Sequence, residues 1–182
     1  MNSRSFRMLS TTAISREMLV AICKLKQTHW NHPIESQLAW FSSHVAPDDA
    51  HILAEAHGEI VGYVRLPSVA ALLDGVACRA WGISTVIVSP DLRGQNVGQE
   101  LVRIATAEMQ RSPLKPLGVL QCSRGLVPFY ARAGWLIFPG VLKCRKDDVL
   151  TEFIRDECAM VYPGVHHVHQ DSSLILLTSE SF

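Results

Sequence analysis

The residues best suited to chemistry lie just after a predicted buried strand. The strand Val86–Val88 ends at Ser89-Pro90, and a polar loop containing Gly94 and Gly98 leads into an amphipathic helix. The first amides of such a helix have no partners within it, and the helix dipole adds about half a positive charge there. Glycine also lets the backbone approach a ligand closely. The pattern therefore predicts an anion-binding loop suited to a pyrophosphate group.

We expect the ligand-binding residues to come from this strand and from the loop with the first helical turn. In chain order they are Val86, Ile87, Val88, Arg93, Gly94, Gln95, Asn96, Val97, Gly98 and Gln99. The Arg93 guanidinium can contact the anion or fold back to fix the loop. No Gly-Lys-Ser/Thr follows Gly98, which excludes a Walker loop, and the glycine spacing differs from the dinucleotide fingerprint. Taken alone, the loop could also be an ordinary tight turn.

A second segment carries aromatic residues on a predicted short helix, Phe129-Tyr130-Ala131-Arg132-Ala133-Gly134-Trp135. Together the two segments resemble the GNAT superfamily of N-acetyltransferases. The loop is similar to the family's acetyl-CoA pyrophosphate motif, Arg/Gln-x-x-Gly-x-Gly/Ala, and the helix to its FYxxxGF segment. Asn96 stands where the motif's first glycine usually lies. Because asparagine is the next most tolerant residue of a left-handed backbone, we expect the turn to persist.

The resemblance implies an α+β fold, the GNAT fold, with a central mixed sheet flanked by helices. Strands Val86–Val88 and Leu117–Cys122 would splay apart at the acetyl-CoA site. Residues 1–162 would form the N-acetyltransferase domain, and residues 163–182 a C-terminal tail that can add an edge strand at Leu174–Leu177.

A finer likeness is to aminoglycoside 2′-N-acetyltransferases, through Arg93-Gly94-Gln95 and an acidic stretch before the last strand. The acidic residues are Asp147, Asp148, Glu152, Asp156 and Glu157. They could attract a cationic substrate, although basic residues are interleaved and a solvated connector is the alternative.

The resemblance implies transfer of an acetyl or short acyl group from CoA to a primary amine of a small molecule, by direct attack in a ternary complex. Backbone groups of Val86 and Val88 would pair with the pantetheine arm. Tyr130 stands where the family often keeps its general acid and would protonate the departing thiolate; a packing aromatic is the alternative. A rival function is a non-catalytic acyl-CoA-binding domain that acts as a sensor or partner-binding module.

The general base is not identified by the sequence. Many family members place a carboxylate on the strand before the loop, but Trp81–Val86 contains none, and Ser84 could act only through water. His29, His32 and Glu35 are candidates, each of which could equally be an ordinary surface residue. A nucleophilic role for Cys122 is disfavoured, because no base is evident nearby.

The elements that position these residues follow from hydrophobic periodicity. Ser15 predicts the start of a helix over 16–27, and a second helix follows over 34–44. A hairpin turns at His57-Gly58. The remaining predicted elements are one strand over Val76–Val88, a helix over 95–111, a strand over 117–122, a helix over 127–133, and strands over 135–138 and 158–162.

Composition limits the class of protein and its partners. The chain has 182 residues, is 48% hydrophobic and carries zero formal net charge, which disfavours nucleic acid and a membrane surface as partners. Five scattered cysteines without a CxxC pair favour reduced thiols and a cytoplasmic location. We expect no metal, reading His166-His167-Val168-His169 as solvated, and composition leaves a homodimer open.

Overall fold

The computed structural model describes residues 4–146, 149–152 and 157–178. The helices are α1 (Arg16–Gln27), α2 (Ile34–His44), α3 (Val97–Arg111) and α4 (Val127–Ala131). The strands are β1 (Arg4–Ser10), β2 (Ala50–Ala56), β3 (Glu59–Leu66), β4 (Ser68–Leu73), β5 (Val76–Gly82), β6 (Ser84–Val88), β7 (Leu117–Ser123), β8 (Leu136–Ile137), β9 (Val141–Lys146), β10 (Val149–Glu152), β11 (Glu157–Tyr162) and β12 (Ser173–Leu176). None of the described helices is long and apolar enough to span a membrane.

The described residues fall into two compact units. The first lies within Met1–Pro67 and Ser84–Ala105, and the second within Ser68–Ile83 and Thr106–Phe182. The first unit holds an antiparallel sheet in the order β1-β2-β3-β6. The second holds a mixed sheet in the order β10-β9-β12-β4-β5-β7-β11-β8, in which β5 and β7, and β9 and β12, run parallel. The fold is α+β with a mixed sheet and helices, as predicted.

The core of the first unit forms where α1 packs on its sheet. The Ser15 side chain accepts a hydrogen bond from the Met18 amide at 3.2 Å and so caps α1. The apolar stripe of the helix then meets inward-facing strand residues, and the buried cluster comprises Ile22, Leu25, Leu53, Tyr63 and Ile87. This packing holds β6 against the sheet through Ile87.

The opposite face of the same sheet receives α3 very closely. A Cβ built on Gly62 of β3 would lie 3.0 Å from a Leu101 methyl carbon and 3.2 Å from a Val97 methyl carbon. A side chain at this position would crowd Leu101 and Val97, which would have to give by a few tenths of an ångström.

A buried aromatic residue follows α4 in the second unit. Trp135 is 1% exposed, and its indole nitrogen donates to the Thr106 hydroxyl at 2.9 Å. A Cβ on Gly118 of β7 would lie 2.8 Å from the Trp135 ring, so this glycine admits the ring to the face of the sheet.

The prediction of one strand over Val76–Val88 is wrong. The segment forms β5 and β6, which pair with different strands in different units. The Ile83 amide between them donates to the Val119 carbonyl at 3.0 Å, and Thr85 has a φ of 56°. The β-branched residues are concentrated in the second half, since β5 contains only Val76, and the sequence analysis extended one strand back over both halves.

Two further differences concern the C-terminal third of the chain. The charged connector forms the hairpin β9–β10, which the sequence analysis did not predict. The predicted edge strand is present as β12, but it lies between β4 and β9 rather than at an edge. Asp74 in the β4–β5 turn holds it there: its carboxylate accepts from the Ser173 amide at 2.7 Å and from the Ser172 hydroxyl at 3.1 Å.

Candidate functional site

Strand β6 leaves one backbone edge available. In the part of the chain that the structure describes, the four-stranded sheet ends at β6, whose partner on its other side is β3. Ile87 points into the core, and Val86 and Val88 are half-buried. An extended ligand could therefore pair with this edge as a further strand would.

A bulge interrupts β6 two residues before its end. Tyr63 pairs with Ile87, but Arg65 pairs with Ser84, so Thr85 and Val86 together oppose one residue of β3. The left-handed φ of Thr85 is a costly conformation for a β-branched residue. Such a bulge turns backbone groups out of the ladder.

The loop after β6 is shaped by two left-handed residues. Pro90–Leu92 form a single 3-10 turn, after which Gly94 has a φ of 77° and Asn96 a φ of 63°. Asparagine thus keeps the left-handed turn that the sequence analysis expected. Because of these two residues, α3 begins at Val97 rather than near residue 95.

Most, but not all, of the amides in this loop are available to a ligand. The Arg93 amide donates to Pro90 and the Gln95 amide to Leu92, at 3.3 and 3.2 Å. The first helical bond runs from the Glu100 amide to the Asn96 carbonyl at 3.0 Å. Among the described residues, no hydrogen-bond acceptor is found for the amides of Gly94, Asn96, Val97, Gly98 and Gln99. Two of the seven amides from Arg93 to Gln99 are therefore used inside the loop, and the other five have no acceptor among the described residues.

This arrangement fits an anionic ligand. A Cβ on Gly94 would meet nothing within 4 Å, so the loop is open at this residue. Glu100 is the acidic residue of the first helical turn, and its carboxylate is paired with Arg103 at 2.5 Å. The Arg103 hydrogen bond lowers the pKa of Glu100. Five unpartnered amides at a helix N-terminus can hold a diphosphate.

The Arg93 and Gln95 side chains brace the loop. The Arg93 Nε donates to the Val88 carbonyl at 3.4 Å, which is the fold-back alternative of the sequence analysis. The Gln95 side-chain amide donates to the Asp91 carbonyl at 3.0 Å, and Arg4 donates to the Gln95 carbonyl at 3.1 Å. These contacts hold the loop in shape without using the free amides.

Tyr130 lies in the second unit, on α4. Its side chain is buried, and its ring meets Phe129 edge-on at 4.9 Å between centroids. Burial, followed by the charge of Cys122, raises the pKa of Tyr130 to about 12. No described group hydrogen-bonds to the hydroxyl. The phenol therefore keeps its proton at neutral pH and has a donor to offer, although the geometry fits a packing role as well.

The candidate bases and nucleophile gain no support from the structure. His29, His32 and Glu35 are all exposed. Cys122 is 5% exposed, and burial, followed by the charges of Cys158 and Glu157, raises its pKa to about 11, which opposes a nucleophilic role.

The histidines near the C-terminus and the acidic residues before the last strand were the remaining candidates from the sequence. The His166 ring lies 2.8 Å from the Lys115 carbonyl, and His169 lies 3.7 Å from Asp74. The described residues contain no group of three metal-binding side chains. Asp147, Asp148 and Asp156 lie outside the described residues, as does the side chain of Glu152.

Sequence analysis missed a group of buried polar side chains in the first unit. His51 is fully buried; its ring nitrogens lie 2.8 Å from the Tyr63 hydroxyl and 2.9 Å from the Thr11 hydroxyl. Burial, and then the charge of Arg65, lowers the pKa of His51 to about 4. Asp49 and Arg65 form a buried ion pair at 3.0 Å. The hairpin register places His51 opposite Arg65 only because it shifts between Ala54 and Glu55, which the turn at His57-Gly58 does not reveal.

Comparisons with known proteins agree with this geometry. The acetyltransferase (GNAT) family model matches residues 17–135. No match was found among the curated proteins.

Similar folds are found among solved structures. ElaA from Escherichia coli is 22% identical with a TM-score of 0.64, over 87% of this chain and 99% of that one. An acyl-CoA N-acyltransferase from Pseudomonas aeruginosa is 18% identical with a TM-score of 0.62, over 87% and 99%. The N-acetyltransferase YhbS from E. coli, solved in complex with CoA, is 14% identical with a TM-score of 0.65, over 97% and 91%. At these identities the likeness concerns the fold.

Proposed function

The chain belongs to the acetyltransferase (GNAT) family, and on that premise we propose that it transfers an acetyl or short acyl group from acyl-CoA to a primary amine of a small molecule. The observation that carries the proposal is the set of five amides without acceptors at Gly94 and at 96–99. The CoA bound to the similar fold of YhbS supports CoA as the acyl carrier.

The first unit supplies the groups that would hold the CoA. The free edge of β6 offers backbone groups of Val86 and Val88 to the amide-containing pantetheine arm. The loop amides would donate to the diphosphate oxygens, with the dipole of α3 adding to the attraction. Arg93 serves to fix the loop, because its guanidinium is already bonded to the Val88 carbonyl.

The chemical step needs an electrophile, a nucleophile and a proton for the leaving group. The neutral amine attacks the thioester carbonyl, and the sulfur leaves as a thiolate. A backbone amide at the β6 bulge could polarise that carbonyl, a contribution of roughly 3–4 kcal/mol when well placed. Tyr130 is the residue we assign to protonate the thiolate, because it stands where the family often keeps its general acid. Burial keeps its phenol protonated but also makes it a weaker acid than a thiol, so the assignment rests on position and not on the pKa.

The acceptor is proposed as a small-molecule amine on the strength of the sequence resemblance. The finer likeness to aminoglycoside 2′-N-acetyltransferases makes aminoglycosides the first acceptors to test. The amine must lose its proton before it attacks, and no residue is assigned to remove it. We therefore expect the rate to rise with pH as the free amine becomes abundant.

Release of the CoA thiol tests the proposal directly. The protein is incubated with acetyl-CoA and a panel of amines, including aminoglycosides, polyamines and peptide N-termini. Amine-dependent thiol release, with an acetylated product of matching mass, is the expected result. Acetyl-CoA binding in calorimetry without turnover on any amine would refute catalysis and leave a CoA-binding module. Absence of binding would refute the site itself.

A further inference from the structure

Strands β7 and β11 carry two cysteines that lie directly opposite each other. Cys122 and Cys158 are Cα partners in the antiparallel register of these strands, and both are thiols. We propose that this pair is a redox modification site, which closes reversibly to an intramolecular disulfide within the eight-stranded sheet. The proposal is independent of acyl transfer.

The register places the two Cα atoms at a distance that a disulfide can span. The Phe138 amide donates to the Ala159 carbonyl at 2.9 Å, so the backbone groups of Ala159 face β8. Those of its neighbour Cys158 therefore face β7, and Cys122 and Cys158 form a hydrogen-bonded pair. Such pairs have Cα atoms about 5.5 Å apart, inside the roughly 4.4–6.8 Å range of disulfides.

The side chains point the right way for the bond. Directly opposite residues of an antiparallel pair project from the same face of the sheet. The Cys122 sulfur lies 3.7 Å from the sulfur of Met160, which is two residues beyond Cys158 on that same face. Burial, and next the charge of Cys158, raise the pKa of Cys122, which agrees with the two thiols being neighbours. The Cβ atoms of a hydrogen-bonded pair start about 5.5 Å apart, so closure needs side-chain rotation and a local approach of the two strands by about 1 Å.

Exposure sets the order of the reaction. Cys158 is half-buried and can meet an oxidant, whereas Cys122 is 5% exposed. The Cys158 thiolate attacks one sulfur of a small-molecule disulfide such as oxidised glutathione and releases one glutathione thiolate. Cys122 then gives up its proton and attacks the Cys158 sulfur, releasing the second glutathione. Because burial raises the pKa of Cys122 to about 11, this second step is the slow one. Two protein thiols are oxidised, and one glutathione disulfide is reduced to two thiols.

The other cysteines are not placed to compete. Cys23 lies on α1 in the first unit. Cys78 on β5 and Cys144 on β9 are separated by β4 and β12 in the sheet order. Ala80 of β5 pairs with Leu117, so Cys78 is far along the strand from the level of Cys122. Among the described strand pairings, Cys122 and Cys158 are the directly opposed cysteines.

Thiol counting on the full chain tests the inference. The protein is equilibrated in buffers with rising ratios of oxidised to reduced glutathione, then alkylated and weighed intact. We expect two of the five thiols to disappear together, so that the oxidised chain carries three alkyl groups instead of five, and a reductant added before alkylation restores all five. Peptide mapping should join the β7 peptide to the β11 peptide.

Two variants and one alternative product make the test decisive. Cys158→Ser should abolish the linked peptides, whereas Cys78→Ser, also in the second unit, should leave them unchanged. A Cys158 that stays glutathionylated without closing on Cys122 would overturn the proposal. So would five thiols that remain reduced in fully oxidised glutathione, or a linkage that involves a different cysteine. The peptide map of the unaltered chain decides the matter even if a variant fails to fold.

Discussion

Replacing Gly94 by alanine should weaken both CoA binding and the fold, whereas the same change at Gly58 should weaken only the fold. Gly94 and Gly58 have nearly equal φ values of 77° and 79°, and a Cβ on either would meet nothing within 4 Å. Alanine in this left-handed conformation costs about 1–2 kcal/mol at either position. Only Gly94 lies among the free amides, since Gly58 lies in the β2–β3 turn. If the strained loop relaxes and turns one donor away, a charge-assisted hydrogen bond of about 1.5–3 kcal/mol is lost.

That loss corresponds to a rise in Kd of roughly 10- to 150-fold. Calorimetry with CoA should show it for Gly94→Ala, while Gly58→Ala binds as the unaltered chain does. Urea unfolding should show similar losses of stability in both variants. Acetyl-pantetheine, which lacks the diphosphate, should bind Gly94→Ala and the unaltered chain equally. Unchanged CoA affinity in Gly94→Ala, or equal losses of affinity in both variants, would refute the assignment of the diphosphate to these amides.

Four further predictions concern Tyr130, His51 and Asp74. Tyr130→Phe should lower turnover about 100-fold with little change in acetyl-CoA affinity, and Tyr162→Phe should not; equal rates would remove the acid role. Since the pKa of Tyr130 is raised to about 12, the pH–rate profile should show no alkaline fall below about pH 10. Burial lowers the pKa of His51 from 6.5 to about 4. As the pH falls, His51 is therefore protonated in the unfolded chain before it is protonated in the folded chain, which favours unfolding. The free energy of unfolding, measured in urea titrations, should drop by about 3 kcal/mol from about pH 6.5 to about pH 4. The His51→Gln variant should show a smaller drop over the same pH range. Asp74→Ala should cost about 2 kcal/mol and speed hydrogen exchange at the Ser173 amide, whereas Asp74→Asn should cost less; identical exchange would contradict the anchoring role.

Local signals predicted the elements whose pairing is also local. Ser15 marked the start of α1, and His57-Gly58 marked the turn between β2 and β3. The break at Ile83 was not predictable, because its cause is the Val119 carbonyl, a distant acceptor. The position of β12 is likewise determined by Asp74, almost a hundred residues earlier in the chain. Periodicity reports which face of an element is apolar, not which neighbour covers it.

The candidate site, too, could be predicted only where local sequence determines the conformation. The types and spacing of Gly94, Asn96 and Gly98 predicted a loop with left-handed residues before a helix, and Gly94 and Asn96 have that conformation. The sequence could not predict which amides form hydrogen bonds within the loop. The hydrogen bonds of the Arg93 and Gln95 amides depend on the 3-10 turn before them. The buried contact of His51 with Tyr63 could not be predicted, because it depends on which residues face each other across the hairpin. Alternation of apolar and polar residues does not determine that register.

The chain passes from one unit to the other three times, after Pro67, after Ile83 and, within α3, after Ala105. No single cut can therefore release either unit as an intact fragment. A segment that ends at Pro67 would carry β1–β3 but lack β6, and one that starts at Thr106 would lack β4 and β5. An exchange of one unit alone between relatives would need a junction inside α3, where the chain crosses after Ala105.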